Sequence, residues 1–185
     1  MLGMVVSTGV GGGLVLDGRL INGATGNAGH IGHVVVDPDG PDCACGGRGC
    51  LEAIARGPAL VTWAQSQGWR PDQASATAKD LAGDAAHGHP VGLAALRRAG
   101  RALGIAIASA THLCDLEVVA IGGGLAQSGS LLFDPLEETL RKHVGLDYAR
   151  EVRVVPAALG QSAGLIGAAA LLLAADRYWS GDPGR

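Results

Sequence analysis

The pattern of hydrophobic and polar residues predicts short strands at the start of the chain and mainly helices after residue 50. Apolar residues flank a run of glycines between residues 4 and 16, which predicts two strands there, and residues 34–36 form a short extended stretch. After residue 90 the pattern alternates as helix, strand, helix, strand and helix, which predicts an α/β layer architecture. The helices are expected at about 50–67, 78–86, 91–114, 130–143 and 163–175, with strands at 117–121 and 152–155.

Turn and capping residues mark several boundaries of these elements. Asp17 and Gly18 form a dipeptide that is typical of tight β-hairpin turns. Pro71 and Pro90 are expected to interrupt regular structure. The stretch 75–80 offers an N-cap for the predicted helix at 78–86.

The composition favours a globular chain whose helices pack closely. The 185 residues correspond to one domain of ordinary size, and 48% of them are hydrophobic. Aromatic residues make up only 3% and there are 31 glycines, so we expect helices to approach one another through small side chains. The net charge of −3 disfavours nucleic acid as a partner, because DNA-binding proteins usually carry a basic patch.

The longest apolar run extends from Ala163 to Ala175 and is interrupted by Gly164 and Gly167. It is too short to span the roughly 30 Å hydrocarbon core of a bilayer, and the amino terminus does not have the pattern of a signal peptide. The sequence therefore predicts a soluble, cytoplasmic protein. Free thiols suited to metal binding also fit a reducing compartment.

One imidazole and three thiols lie within eighteen residues, at His33, Cys43, Cys45 and Cys50. Three cysteines and one histidine form a common closed, tetrahedral site for structural Zn²⁺, and glycines between the ligands suit a loop that folds tightly around an ion. The alternatives are a disulfide or buried free thiols. Cys43 and Cys45 are too close in sequence to bridge comfortably, and Cys114, in a helical pattern, is predicted to lie in the core.

The segments Gly29–His33 and Cys43–Glu52 resemble the signature of the ROK family, which contains bacterial sugar kinases, hexosamine kinases and sugar-responsive repressors. The resemblance implies a two-lobed, actin-like (ribonuclease H-like) fold with the active site between the lobes. It also implies that residues 1–185 form the carboxyl-terminal lobe, with a zinc loop at 33–50, and that the amino-terminal lobe is missing.

The resemblance implies a sugar site beside the zinc loop. His33 would bind zinc through one ring nitrogen and face the sugar with the other, since a metal-bound imidazole has a fixed tautomer and orientation. Glu52 would bind sugar hydroxyls; alternatively, it is simply a helix glutamate favoured by the macrodipole. His30 stands where the family usually has glutamate, so it could contact a hydroxyl or serve as an alternative metal ligand.

Two glycine-rich segments are the candidate nucleotide site. Thr8, Gly9 and Gly11 lie in a strand–turn–strand pattern that could present N–H groups and a hydroxyl to phosphate, although such turns often only permit a hairpin. It is not a Walker A loop, because no Lys-Ser or Lys-Thr pair follows. The resemblance implies that these three residues hold the terminal phosphates of ATP, and that Gly122, Gly123 and Gly124 form part of the adenosine pocket.

The family's catalytic elements are not found in this sequence. A complete ROK kinase has an Asp-x-Gly-Gly-Thr phosphate loop and an Asn-Asp pair whose aspartate is the catalytic base, and neither occurs in the 185 residues. Asp37 and Asp39 are better explained as turn residues. No catalytic residue is assigned, and the chain alone is expected to be nearly inactive even with ATP and Mg²⁺, since phosphoryl transfer needs a base and precise positioning.

Three functions are consistent with these features. The first is an ATP-dependent sugar kinase of glucokinase or N-acetylhexosamine kinase type, of which this chain is one part. The second is the sugar-sensing domain of a ROK repressor, and the third is a zinc-stabilised remnant that acts only in assembly. The resemblance also implies that the last helix packs toward the amino-terminal lobe, so the run 163–175 should expose an apolar face. We therefore expect a homodimer or a partner chain that supplies the missing lobe.

Overall fold

The computed structural model describes residues 1–71, 75–173 and 175. It has a mixed α/β fold built on one five-stranded sheet. The strands are β1 (Leu2–Val6), β2 (Val10–Leu16), β3 (Arg19–Ile21), β4 (Val118–Gly122) and β5 (Arg153–Pro156). The helices are α1 (Leu51–Ala55), α2 (Gly57–Ser66), α3 (Ala78–Ala86), α4 (Pro90–Cys114), α5 (Ser130–His143), α6 (Asp147–Arg150) and α7 (Ala163–Leu173).

The sheet combines an antiparallel half with a parallel half. Its strand order is β3-β2-β1-β4-β5, with antiparallel pairing from β3 to β1 and parallel pairing from β1 to β5. Asp17 and Gly18 both have positive φ, 50° and 71°, which suits the tight turn between β2 and β3. Leu2, Met4 and Val6 alternate along the central strand β1 and are buried in the core.

Helix α4 is the long central helix against which most of the other helices pack. Its 25 residues begin at Pro90 and end before Asp115, which has the left-handed backbone conformation at the C-cap. It packs on α5 through Gly100 and Gly104, where an added Cβ would lie 2.6 Å from the carbonyl oxygens of Leu132 and Leu136. The expectation that helices approach through small residues is confirmed at this contact.

Several predicted boundaries are confirmed, and one predicted helix is wrong. The hairpin turn, the long helix after Pro90 and the helix at 130–143 lie where the sequence places them. The predicted helix 50–67 is instead two helices, because Arg56 is extended, with φ −68° and ψ 148°. Pro58 explains this break, since proline has no N–H to donate to the carbonyl of residue 54 in a continuous helix.

Smaller elements also differ from the prediction. Strand β3 and the short helix α6 were not predicted. Residues 34–36 do not form a strand, although Val35 makes an isolated antiparallel bridge to Cys50. Cys114 is half-buried and packs against the core. Among the described residues, no helix combines the length and the apolar character that crossing a membrane requires.

Helix α7 is apolar, but none of its residues from 163 to 173 is buried. Leu165, Leu172 and Leu173 have exposed fractions of 78%, 83% and 87%. The expectation of an exposed apolar face is therefore confirmed for these residues, while the end of the predicted helix falls partly outside the described ones. Such a surface in a folded chain is typical of an interface or of a region prone to aggregation.

Candidate functional site

The four predicted zinc ligands come together in one cluster. One donor atom from each of His33, Cys43, Cys45 and Cys50 lies within 4.8 Å of the other three. The Sγ atom of Cys43 is 3.6 Å from Nδ1 of His33, and the Sγ atoms of Cys45 and Cys50 are 3.7 Å apart. Cys43 and Cys50 are buried, whereas Cys45 is exposed and His33 is half-buried.

The loop that carries these ligands is held together mainly by its own backbone. The N–H of Cys43 donates to the carbonyl of Gly47, and the N–H of Gly46 donates back to the carbonyl of Cys43. Gly49 has a φ of 68°, and a Cβ there would lie 1.6 Å from the carbonyl oxygen of Asp37. Only glycine fits this position, so the loop depends on it for the close backbone crossing beside Cys50.

The donor set, and two of the distances within it, fit tetrahedral zinc. With Zn–S bonds of about 2.3 Å and Zn–N bonds of about 2.0–2.1 Å, tetrahedral geometry places two sulfurs about 3.8 Å apart and a sulfur and a nitrogen about 3.6 Å apart. The two observed separations, 3.7 Å and 3.6 Å, match these values. The cysteines are far from disulfide geometry, since bonded sulfurs lie about 2.05 Å apart.

The thiols of the cluster differ in how readily they lose a proton. Burial, followed by contacts with Cys43 and Cys45, raises the pKa of Cys50 to about 12. The pKa of Cys45 is lowered, chiefly because the N–H of Gly47 donates to its sulfur at 3.4 Å. A buried thiol such as Cys50 becomes a thiolate readily only beside a positive charge, which a metal ion supplies.

The two histidines of the sequence signature lie side by side but differ in position. Nδ1 of His33 is directed at the thiol cluster, which leaves Nε2 as the atom available for a further hydrogen bond. His30 is exposed, and its ring packs edge-on against His33 with 4.7 Å between centroids. His30 is not part of the four-residue metal cluster, so the alternative of His30 as a metal ligand gains no support.

Glu52 links the zinc loop to the first glycine-rich turn, which we define as residues 7–9 between β1 and β2. It lies in the first turn of α1, two residues after Cys50. Its Oε2 atom accepts a hydrogen bond of 2.9 Å from the N–H of Val10, the first residue of β2. A Cβ on Gly9 would lie 3.0 Å from the same oxygen. The carboxylate therefore rests against the turn, with glycine at the point of closest approach.

The first glycine-rich turn is also held from two other sides. The carbonyl of Ser7 accepts a hydrogen bond of 2.8 Å from the N–H of Gly57, at the start of α2. Gly123 has a φ of 95°, and a Cβ there would lie 2.4 Å from the carbonyl oxygen of Val6. A Cβ on Gly124 would lie 3.6 Å from Oγ of Ser7. The glycines after β4 thus adjoin the turn after β1.

The candidate nucleotide residues are brought together in part. Thr8 and Gly9 lie in the turn between β1 and β2, with Thr8 exposed, and the segment 122–124 lies at the carboxyl end of the neighbouring parallel strand β4. Ligands commonly bind at the carboxyl ends of parallel strands, where several loops meet. Gly11 lies within β2, and a Cβ there would meet open space, so protein packing does not explain this glycine.

Sequence reasoning missed the contacts that join these segments. The bond from Val10 to Glu52 spans 42 residues and carries no local signal. The bond from Gly57 to Ser7 likewise could not be read from spacing, although Gly57-Pro58 is a recognisable helix start. The two bonds attach α1 and α2 to the first glycine-rich turn, and the segment 122–124 adjoins the same turn through Gly123 and Gly124.

The sequence model of the ROK family matches residues 1–175 of this chain. Among curated proteins, it is 35% identical over 183 residues to a glucokinase of Thermotoga maritima, covering 93% of this chain and 57% of that protein. It is 39% identical over 171 residues to an N-acetylmannosamine kinase of Yersinia pestis, covering 91% and 55%. The chain therefore spans little more than half the length of the curated relatives it matches.

Solved structures resemble the chain over most of its length. A ROK hexokinase from Thermus thermophilus superimposes with a TM-score of 0.82 at 37% identity, covering 95% of this chain and 58% of that one. A ROK glucokinase from Streptomyces griseus, in complex with glucose and AMPPNP, gives 0.79 at 33% identity, with 92% and 59% covered. A ROK transcriptional regulator described as a homolog of the E. coli MLC protein gives 0.76 at 32% identity, with 84% and 41% covered.

Proposed function

Because this chain belongs to the ROK family, we propose that it forms the sugar- and nucleotide-binding lobe of an ATP-dependent sugar kinase, which transfers the γ-phosphate to a hexose hydroxyl. The observation that carries the proposal is the bond from Val10 to Glu52. It joins the zinc loop, where the sugar would bind, to the glycine-rich turn that would hold the phosphates. Residues 1–185 form this lobe, with the zinc loop at 33–50.

The sugar would bind against His33 and Glu52. Nε2 of His33 is the free nitrogen of a ring whose other nitrogen points into the thiol cluster, so it can donate to a hydroxyl in a fixed direction. The Oε2 atom of Glu52 accepts the hydrogen bond from the N–H of Val10. Its Oε1 atom remains as an acceptor for hydroxyl groups of the sugar. His30, exposed beside His33, would be a further contact that tunes which sugar is preferred.

Zinc has a structural role in this proposal. When bound, the ion would hold Cys43, Cys45, Cys50 and Nδ1 of His33 in a closed tetrahedron, which leaves no ligand position for a water molecule. The thiol-bearing loop would then fix the imidazole of His33 and the start of α1. The residues of this chain would orient the sugar, and the metal would take no part in the chemical step.

The nucleotide would bind beside the sugar, along the turn between β1 and β2 and the segment 122–124. The exposed hydroxyl of Thr8 and the backbone of Gly9 and Gly11 would contact the terminal phosphates, and the segment 122–124 would adjoin the adenosine. The relative from Streptomyces griseus holds glucose and AMPPNP together, which supports a joint site of this kind. Mg²⁺ would accompany ATP, as phosphoryl transfer requires.

No residue of this chain is proposed as the catalytic base. The family's Asn-Asp pair does not occur in the sequence, and Asp37 is engaged in its own loop, where its Oδ1 accepts from the N–H of Asp39. We propose that the base lies in the part of the family fold that this chain does not cover. The chain alone would then bind ligands without turning them over.

A ROK repressor domain is the second candidate function. The similarity to a transcriptional regulator, with a TM-score of 0.76, favours it. In that case the sugar site would serve sensing, and nucleotide would not bind. A zinc-stabilised remnant, the third candidate, would bind neither ligand.

We test the proposal by calorimetry on the zinc-loaded chain with glucose, N-acetylglucosamine and N-acetylmannosamine, with and without ATP, alongside a kinase assay. We expect one sugar to bind without turnover, and ATP to bind as well. Glu52→Ala should weaken sugar binding at least tenfold, since a charged hydrogen-bond acceptor is lost. Glu151→Ala, at an exposed turn, is the matched control. Sugar binding without ATP binding would favour the repressor, and binding of neither would contradict both.

A further inference from the structure

A second cavity, separate from the proposed sugar and nucleotide edge, lies between α4 and the zinc loop. Its volume is about 500 Å³. We call it the arginine cleft, because three arginines of α4 line one side. The other walls include Asp37 of the zinc loop, Ile54 of α1 and Trp63 of α2. The arginines are Arg97, Arg98 and Arg101.

The three guanidinium groups make this cleft strongly positive in a chain whose net charge is −3. Arg97 and Arg101 are one helical turn apart and share a face of α4, and Arg98 adjoins them. Like charges this close on a helix repel one another in the absence of a counter-charge. Asp37 is the carboxylate among the lining residues, so the wall keeps an excess of two positive charges.

The arginines have few partners of their own. Within the part of the chain that the structure describes, none of them donates a hydrogen bond or forms an ion pair, whereas Arg48, Arg141 and Arg150 each pair with a carboxylate. Lys142 is the ion-pair partner of Glu138, the carboxylate whose field also reaches Arg97 and Arg101. Arg97 also lines a neighbouring pocket with Asp134 and Glu138, which offset part of its charge. Among the described residues no hydrogen bond occupies the N–H groups of the three arginines, so these donors remain for a ligand.

Arg98 is the most informative of the three. Its Nε atom is buried and has no hydrogen-bond acceptor, a state that costs free energy in a folded protein. Its guanidinium lies over the ring of Trp63, with 5.6 Å between Cζ and the ring centroid. This cation–π contact restrains the side chain against the ring. The other N–H groups of the guanidinium form a planar fork that suits the oxygens of a phosphate group.

The remaining walls suit the body of a ligand. Trp63, Ile54 and Ile105 supply apolar surface next to the charged side, and small-molecule sites typically combine such surface with a few polar groups. Free inorganic phosphate would use the arginines and leave this apolar surface uncovered. An organic phosphate would use both.

From these observations we propose that the arginine cleft binds a small phosphate ester, with its phosphate on Arg97, Arg98 and Arg101 and its organic part against Trp63. This site is distinct from the proposed sugar and nucleotide site. Two residues of α1 face different sites: Glu52 accepts a hydrogen bond from Val10, whereas Ile54 lines the cleft. Nucleotides and sugar phosphates share the required chemistry.

The test is a titration of the zinc-loaded chain by nuclear magnetic resonance, with glucose 6-phosphate and AMP as probes and with inorganic phosphate and glucose as controls. We expect saturable shifts of the Arg98 Nε–H signal and of the Trp63 indole signal, assigned with Trp63→Phe. One ester should bind at least about tenfold more tightly than inorganic phosphate, since the apolar wall adds contacts. Preference for AMP would identify a nucleotide source, and preference for glucose 6-phosphate a sugar source.

Two exposed arginines provide variants that should fold normally. Arg97→Gln and Arg101→Gln should each weaken ester binding about tenfold, because a charge-assisted hydrogen bond is lost. Arg19→Gln, in the exposed β2–β3 hairpin, should leave the affinity unchanged. Equal affinity for inorganic phosphate and both esters would indicate an adventitious ion only and overturn the proposal. Insensitivity to both variants would overturn it too, as would self-association that buries the cleft and excludes the esters.

Discussion

The zinc loop and helix α7 are opposite cases of how a segment of this chain is stabilised. The loop at 33–50 has no helix beyond its first residue, yet its ligands converge within 4.8 Å and its backbone bonds to itself. Helix α7 is almost entirely apolar, yet none of its residues from 163 to 173 is buried. The loop is organised by its ligand residues and its own backbone, whereas α7 has apolar surface that the other described residues leave uncovered.

Removing the zinc site should give the largest effect. Cys50→Ser should abolish zinc binding and free the loop, because structural zinc contributes a folding free energy on the order of 10 kcal/mol. Zinc content by mass spectrometry and hydrogen exchange over residues 34–50 would measure this. Cys114→Ser, outside the cluster, is the matched control and should keep one zinc per chain. Absence of zinc from the unsubstituted chain, or one zinc per chain retained in Cys50→Ser, would contradict the zinc assignment.

Backbone geometry within the loop should give the next largest effect. Gly49→Ala should lower the free energy of unfolding by about 3 kcal/mol, because a positive φ is combined with a clash against Asp37. Gly46→Ala is the control, since it also has positive φ but meets open space, and should cost about 1 kcal/mol. Urea unfolding of the zinc-loaded variants would compare them. Equal costs would show that the crossing beside Cys50 is not what constrains the loop.

Polar substitution on α7 should affect association rather than stability. Leu165→Glu with Leu172→Glu should change the free energy of unfolding by less than about 0.5 kcal/mol, because both side chains are exposed. Self-association should weaken at least tenfold, or about 1.4 kcal/mol. Sedimentation equilibrium would measure it, with Leu113→Glu, 86% exposed at the end of α4, as the control. A monodisperse monomer of the unsubstituted chain would contradict the predicted homodimer.

The N-terminal cap of α3 is stabilised by its own side chains, without a metal ion or a partner surface, and serves as a reference for the two preceding regions. The Asp80 carboxylate accepts 2.7 Å hydrogen bonds from the N–H and the hydroxyl of Thr77. Thr77→Ala should cost about 1 kcal/mol, in the zinc-loaded and zinc-free chain alike. A cost that depended on zinc would mean that α3 and the loop fold as one unit.

The same cap gives a pH dependence of known sign. The hydrogen bonds from Thr77 lower the pKa of Asp80 below its ordinary value, so the folded state binds this proton less readily than the unfolded state. Its stabilisation is present above the unfolded pKa, near 4, and is lost as the pH falls through the lower folded pKa. Unfolding measured between pH 6 and 3 should show a shallower loss in Asp80→Asn than in the unsubstituted chain.

Local signals explain which features could be predicted from the sequence. The metal ligands follow from one histidine and three cysteines within eighteen positions. The exposed face of α7 is expected only from the family resemblance, because an apolar run without a polar side by itself predicts a buried helix. Pro58 indicates the break at Arg56. The hydrophobic periodicity, however, continues through residues 50–67 and predicts a single helix. Strand β3 is only three residues long, and its pairing with β2 determines its conformation more than its composition does.

Contacts between distant segments could not be predicted in the same way. The bond between Val10 and Glu52 depends on how α1 docks against β2, and the arginine cleft depends on which face of α4 the zinc loop leaves uncovered. Neither has a periodic or spacing signature. The resemblance to a family predicts which residues form the site, whereas their connection depends on the tertiary contacts.

The central claim is that the zinc loop and the glycine-rich turn act as one binding edge through Glu52. The most direct measurement is the amide resonances of Gly9 and Val10 in the zinc-loaded chain during titration with the sugar that binds. We predict that both resonances shift with the same dissociation constant as those of the zinc loop. In Glu52→Ala, titrated to saturation, the shifts at Gly9 and Val10 should be lost while those of the zinc loop remain. Sugar-dependent shifts confined to the zinc loop, with Val10 unchanged, would contradict the claim.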